Sequence, residues 1–304
     1  VRPLWAIVGA TGTGKTRLAV ELAERVGGEI VGCDSAQIFR GLDVGTAKPT
    51  PEERARAPHH VVDVADATEQ WSSVTYKTAA EAAIADIEAR GRVPIVVGGA
   101  GLWLRALTRG LFEAPEIDPE VRAEVRRRLA DEGAPAVHAV LAALDARAAA
   151  RLHPNDTQRI GRALEVVLST GTPISTLQDA HGFQTLARPW VGVAIDWPRE
   201  EHRALLERRV RAMWRDGIVD EARAALAAGA PRDAPGLGTI GYREAVAQLL
   251  DRVPEDAALA RAIIATSQYA KRQRNWFRHD AEVVWLPPSA SALDVERSLG
   301  ARSG

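Results

Sequence analysis

Gly9-Ala10-Thr11-Gly12-Thr13-Gly14-Lys15-Thr16 fits the template of a glycine, four residues and then Gly-Lys-Thr. Leu4-Trp5-Ala6-Ile7-Val8 before it is an apolar run of strand length. Leu18, Ala19, Leu22, Ala23 and Val26 after it recur at helical spacing. Strand, loop and helix thus stand in the order that a phosphate-binding loop requires. Glycines at 9, 12 and 14 let the backbone curl until successive N–H groups point at one anion, and the helix N-terminus adds the positive end of its dipole. Lys15 brings a full positive charge, and the Thr16 hydroxyl is placed to hold Mg²⁺. The stretch predicts a bound polyphosphate and leaves open whether that ligand is a nucleotide.

The 304 residues suffice for one large domain or two smaller ones. Hydrophobic residues at 46% and charged residues at 26% are ordinary for a globular chain. A net charge of −1 excludes blanket attraction to nucleic acid but not local patches. Lysine stands only at 15, 48, 77 and 271; the other basic residues are arginines, whose planar fork suits phosphate. Cys33 is the one cysteine, which excludes an internal disulfide or a cysteine zinc cluster and fits a reducing cytoplasm. No apolar run reaches membrane-spanning length, and the first residues lead into the first strand instead of a targeting signal. A cytoplasmic monomer without a membrane partner is expected.

Outward from the loop, Glu29-Ile30-Val31-Gly32-Cys33 predicts a second strand, ending in Asp34-Ser35-Ala36-Gln37. In a parallel sheet this polar cluster falls beside the phosphate loop, because ligands lie at the carboxyl ends of strands. Residues 40–48 form a loop and 74–90 a helix, and Val93-Pro94-Ile95-Val96-Val97 is a central parallel strand. Gly98-Gly99-Ala100-Gly101 is a second glycine-rich turn into a helix, serving either helix–strand packing or the site. Residues 113–185 hold helical stretches at 121–132, 135–144 and 156–169 and no strand; the Ala/Arg-rich run at 139–151 is plain helix. Strand character returns at 191–196, followed by a helix at 201–215 and a turn at 236–244 entering another. A helix over 266–278 interleaves Lys271, Arg272, Arg274 and Arg278 with Tyr269, Trp276 and Phe277, cations for phosphates and rings for unpaired bases. Residues 283–286 are a last strand before a ragged tail. The fold class predicted is α/β, a P-loop parallel-sheet core (1–112 and 186–304) with an inserted all-helical domain (113–185).

Read together, these motifs resemble the bacterial tRNA dimethylallyltransferase family. The matching stretches, in order, are Gly9–Thr16, Asp34 through Pro49, Pro58-His59-His60, Gly98 through Arg105, His153 through Glu165, Ile240-Gly241-Tyr242-Arg243-Glu244, and Ala270-Lys271-Arg272-Gln273 with Trp276-Phe277-Arg278. The second and last are highly specific, while the phosphate loop alone is not. The resemblance implies that Gly9, Ala10, Thr11, Gly12, Thr13, Gly14, Lys15 and Thr16 hold the diphosphate of dimethylallyl diphosphate, with Mg²⁺ at Thr16. It implies transfer of the dimethylallyl group to N6 of the adenosine 3′ of the anticodon, in a tRNA stem-loop. Asp34 occupies the position of the base. Arg209, by its spacing to Met213 and Gly217, matches an arginine on the diphosphate. Asp34, Ser35, Ala36 and Gln37 match positions at the flipped base. Ala100, Arg122, Gln158, Arg159, Ile160, Gly161, Arg162, Arg243, Lys271, Arg272 and Trp276 match positions that hold the tRNA, several of them on the helical insertion.

One departure concerns the chemistry. The family's Gly-Gly-Thr-Gly-Leu-Tyr stands here as Gly98-Gly99-Ala100-Gly101-Leu102-Trp103, so a threonine hydroxyl near the reacting centre is absent. Such a hydrogen bond is worth on the order of 1–3 kcal/mol in the transition state unless another group replaces it. The rival readings are a P-loop small-molecule kinase, a prenyltransferase of free adenine nucleotides, and a non-catalytic RNA-binding protein.

Overall fold

The computed structural model describes residues 3–110, 115, 117–181 and 187–302. Strands β1 (Leu4–Val8), β2 (Gly28–Cys33), β3 (His59–His60), β4 (Val93–Gly98), β5 (Trp190–Ile195) and β6 (Val283–Leu286) form one sheet in the order β3-β2-β4-β1-β5-β6. Every pairing is parallel, with Ile7 in register with Val97 on one side and Val193 on the other. This is the α/β parallel core that the sequence predicted. The apolar runs of β1, β2 and β5 are buried along their whole length, as strands covered on both faces must be.

The chain divides into two compact units. The first, 1–108 with 188–304, holds the sheet and helices α1 (Lys15–Val26), α2 (Pro51–Arg56), α3 (Ser73–Ala89) and α4 (Gly101–Arg109). Helices α5 (Pro119–Asp131), α6 (Ala134–Leu144), α7 (Ala146–Arg151), α8 (Thr157–Thr170) and α9 (Ile174–His181) make the second unit, 109–187. The chain then completes the first unit with α10 (Arg199–Arg215), α11 (Ile218–Ala227), α12 (Tyr242–Leu250), α13 (Glu255–Arg278) and α14 (Ala292–Ala301). Leu18 and Leu22 of α1 and Val295 and Leu299 of α14 share one core with Trp5, Ile7, Ile30, Ile95 and Val193. The helical unit has its own core, in which α8 supplies Ile160, Leu164 and Val167 against Val125, Val137 and Leu141.

Several local expectations need correction. The tail is not ragged: Ser291 and Asp294 cap α14 reciprocally, and its apolar residues close the main core. The basic helix starts at Glu255, not 266, and runs for 24 residues. The run at 139–151 breaks at Asp145, whose carboxylate caps α7 through the Ala148 N–H (3.0 Å) and accepts from the Ser175 hydroxyl (2.7 Å). Helix α11 and the two-residue β3 were not foreseen, β3 being too short to show a period.

Candidate active site

A parallel sheet delivers the residue after each strand to the same edge. The phosphate loop follows β1, Asp34 follows β2, the Gly98–Gly101 turn follows β4, and Asp196 follows β5. Gly12 adopts φ +76°, and a Cβ there would sit 2.8 Å from Leu206 Cδ2 of α10. Gly14 is the N-cap of α1 and no side chain caps the helix, so its first-turn N–H groups are left for a ligand. Distant helices fix the loop. Gln273 of α13, buried, accepts from Thr11 N–H at 2.8 Å through Oε1 and donates to Gly99 O at 3.1 Å through Nε2, tying the two glycine-rich turns together. His202 of α10 lies 2.9 Å from Thr11 O; since the partner is a carbonyl, Nε2 carries the proton. Burial lowers the pKa of His202, so the ring is neutral near pH 7. Trp197 Nε1 reaches Thr13 O at 3.4 Å, while Arg274 donates to Trp197 O and, with Arg278, pairs with Asp196.

A cavity of about 320 Å³ opens over the loop, lined by Gly12, Gly14, Lys15, Thr16, Asp34 and Arg209 among others. Lys15 Nζ donates to Ala10 O at 2.6 Å. Desolvation is the main cause that brings its pKa down to about 8; Asp34 opposes the shift and Arg209 adds to it. The Arg209 pKa is lowered by burial and supported by Asp34. Lys48, also at this cavity, is buried, paired with Asp43 at 2.6 Å and with Asp63, and so neutralised. A second cavity of about 290 Å³, less polar, is lined by Ser35, Ala36, Met213, Trp214, Ile240 and Tyr269 among others. Thr11, Asp34, Thr46 and Arg209 line both cavities, a shared wall along which the two adjoin. Asp34 Oδ1 accepts from Ala36 N–H at 2.9 Å and Gln37 N–H at 3.4 Å, leaving Oδ2 outside this turn.

The predicted residues divide accordingly. The phosphate loop, Asp34 and Arg209 come together; Ser35 and Ala36 line the less polar cavity, and Gln37 lines the loop cavity. Ala100 lies in the turn beside them, its N–H bonded to Cys33 O at 3.1 Å. That turn is a packing device: a Cβ on Gly98 would meet Cys33 O at 1.9 Å, one on Gly99 the Gln273 amide at 1.9 Å, and one on Gly101 the Trp276 indole at 2.2 Å. Trp276 thus rests on Gly101 with the Arg105 guanidinium 4.7 Å from its ring, and Phe277, offered as a base-stacking ring, is core. Lys271 and Arg272 are exposed, the latter over Tyr269. Arg243 is exposed and paired with Glu244 at 2.6 Å. In the helical unit Arg122, Gln158 and Arg159 are exposed, with Arg159 on Asp156 at 2.8 Å and Arg162 near Glu165 at 3.7 Å. Ile160 and Gly161, matched to tRNA contacts, are buried there instead; a Cβ on Gly161 would stand 3.0 Å from Leu129. Their side of α8 packs the core of the unit. Sequence reasoning gave Gln273 and His202 no part in the site, while Tyr269, offered as a base-stacking ring, lines the less polar cavity.

The IPP transferase family profile matches residues 37–280. The chain belongs to that family. The tRNA dimethylallyltransferase of Anaeromyxobacter dehalogenans (strain 2CP-C) is 49% identical over 282 residues, 93% of this chain and 94% of that protein. The tRNA dimethylallyltransferase of Geobacter metallireducens is 46% identical, over 92% of this chain and 91% of its own. The crystal structure of the full-length tRNA isopentenylpyrophosphate transferase of Bacillus halodurans superposes with a TM-score of 0.71 at 32% identity, covering 100% of this chain and 96% of that one. The chain is therefore a prenyl-transferring enzyme, and the kinase and non-catalytic readings fall away. Among the described residues no helix is long and apolar enough to cross a membrane.

Proposed function

We propose that the protein transfers the dimethylallyl group of dimethylallyl diphosphate to N6 of the adenosine 3′ of the anticodon in tRNA, where the two cavities adjoin along the wall that Asp34 and Arg209 share. The observation that carries this reading is the pair of cavities sharing that wall, one built for phosphates and the other less polar. The diphosphate lies on the uncapped N-terminus of α1, against Lys15 and Arg209. The adenine, extruded from the anticodon loop, enters the less polar cavity beside Ser35 and Tyr269. N6 attacks C1 of the allyl group as the C1–O bond breaks and its electron pair leaves with the diphosphate. Asp34 takes the N6 proton. Charge gathering on the leaving group is met by the loop N–H groups, Lys15 and Arg209.

The donor set fits Mg²⁺. The Thr16 hydroxyl and the Asp34 carboxylate are hard oxygens lining one cavity. Among the described residues no cluster of three His, Cys, Asp or Glu could cage a metal alone, so a cation there would be shared with the phosphates. Thr16 would hold it, and bound there it would neutralise the departing diphosphate. Exposed Arg122, Gln158, Arg159, Arg243, Lys271 and Arg272, with the half-buried Arg162, serve the stem-loop, and the protein works as a cytoplasmic monomer.

Labelled dimethylallyl diphosphate, Mg²⁺ and an anticodon stem-loop test the reading. Label is expected in the RNA; label in AMP but not in RNA overturns it in favour of a nucleotide prenyltransferase. Asp34→Asn is expected to keep RNA affinity and to lower turnover at least about a hundredfold, the scale of general-base catalysis. Unchanged turnover removes Asp34 from the role of base.

A further inference from the structure

The loop at 43–47 reaches the shared wall through Thr46, and two residues from outside either cavity's chemistry hold it. Glu221, in the first turn of α11, accepts from Asp43 N–H at 3.1 Å and from Val44 N–H at 3.0 Å through Oε1, and again from Val44 at 3.1 Å through Oε2. Tyr242, the first residue of α12, is fully buried; its hydroxyl donates to Glu221 and accepts from Gly45 N–H at 3.0 Å. Three successive backbone donors therefore end on one carboxylate–phenol pair. Gly45 leaves no slack: a Cβ would lie 2.5 Å from the Tyr242 ring and 2.6 Å from Ile218 Cδ1. The two carbonyls that follow act on a third residue. Gln37 Nε2 donates to Thr46 O at 3.3 Å and to Ala47 O at 3.1 Å, so both amide hydrogens are spent and Oε1 remains as the free, accepting end. Gln37 lines the loop cavity together with Thr16.

We propose that Glu221 and Tyr242 are positioning residues of the transfer reaction, clamping the 43–45 backbone so that Thr46 and Ala47 lock the Gln37 amide with its oxygen as an acceptor on the phosphate side of the wall. Neither residue touches substrate; each acts through the loop. Gln37 then serves the diphosphate end, where water or a hydroxyl donates to it. The proposal rests on the assignment of the two cavities given above.

Tyr242→Phe removes one oxygen and keeps the ring that packs on Gly45; Glu221→Gln removes the charge. The expected result for each is a fall in kcat between about tenfold and a hundredfold, the scale of a small misplacement near reacting groups. KM for the stem-loop is expected to stay within about threefold, because the clamp holds no RNA. Amide hydrogen exchange at 43–45 is expected to quicken in both variants. In a Gln37→Leu background, Tyr242→Phe is expected to lower kcat no further, since the clamp acts through Gln37. Faster exchange with kcat unchanged overturns the proposal, as does a kcat loss that adds fully to that of Gln37→Leu. Asp34→Asn, run alongside, separates the two readings: if it abolishes turnover while both clamp variants turn over normally, the clamp fails and the cavity assignment stands. If it turns over like the unaltered protein, the assignment fails and takes the clamp with it.

Discussion

Below pH 8 the Lys15 ammonium is held where protein has displaced much of its water, and an anion is what compensates. Its pKa is lowered to about 8 from 10.5 in the unfolded chain. Between those values the unfolded chain binds the extra proton, so the share of folding stability linked to Lys15 rises with pH, and below pH 8 the cost of burying the charge is felt in full. Ligand binding has the opposite sense, because it needs the charge. Affinity for inorganic diphosphate is expected to weaken as pH rises through about 8. Lys15→Arg, charged up to about pH 12, is expected to lose that dependence while binding less well overall. Calorimetric titration at several pH values checks this, and ionisation of the diphosphate itself affects both proteins alike. Equal slopes in the two proteins would exclude Lys15 as the group responsible.

Among elements, α13 shows what sequence can and cannot display. Its cations and rings marked it as an RNA candidate, yet Arg274 and Arg278 serve Asp196 and Phe277 serves the core. Lys271 and Arg272 are exposed and Tyr269 lines the less polar cavity, and these keep that role open. The phosphate loop was legible because glycine spacing, strand and helix are all local. Gln273 was not, because its partner Thr11 lies 262 positions away and nothing near Gln273 announces the contact. The same holds for His202, and for Ile160 and Gly161, where a motif match could not tell the packed side of a helix from its exposed one. Gln273→Leu would leave the Thr11 N–H and the Gly99 carbonyl without partners, at about 1–3 kcal/mol for each group. The expected outcome is a lower midpoint in urea together with weaker diphosphate binding. A loss of stability with unchanged affinity would show that the loop keeps its shape without this tie.

For the molecule as a whole, the core under the site is closed by α14, which sequence reading had set aside as a tail. Its buried residues Ala292, Val295 and Leu299 fall at helical spacing, but over barely two turns, too short a run to mark a core helix by period alone. Leu299 is 1% exposed and Val295 is fully buried against α1 and the sheet. Leu299→Ala is expected to destabilise the protein by about 2–5 kcal/mol. Chemical denaturation measures this, and a change under about 0.5 kcal/mol would mean that α14 covers the core without holding it.

The place of β1 bears on how the chain is made. It lies between β4 and β5, and the latter is synthesised only after β1, β4 and the whole helical unit. Until residues 190–195 emerge, one side of Leu4–Val8 is an open row of backbone donors and acceptors on a wholly apolar strand. Such an edge invites pairing with a neighbouring nascent chain. Translation that pauses within 109–187 therefore leaves the future phosphate site resting on an unpaired apolar edge, and the insertion lengthens that exposure.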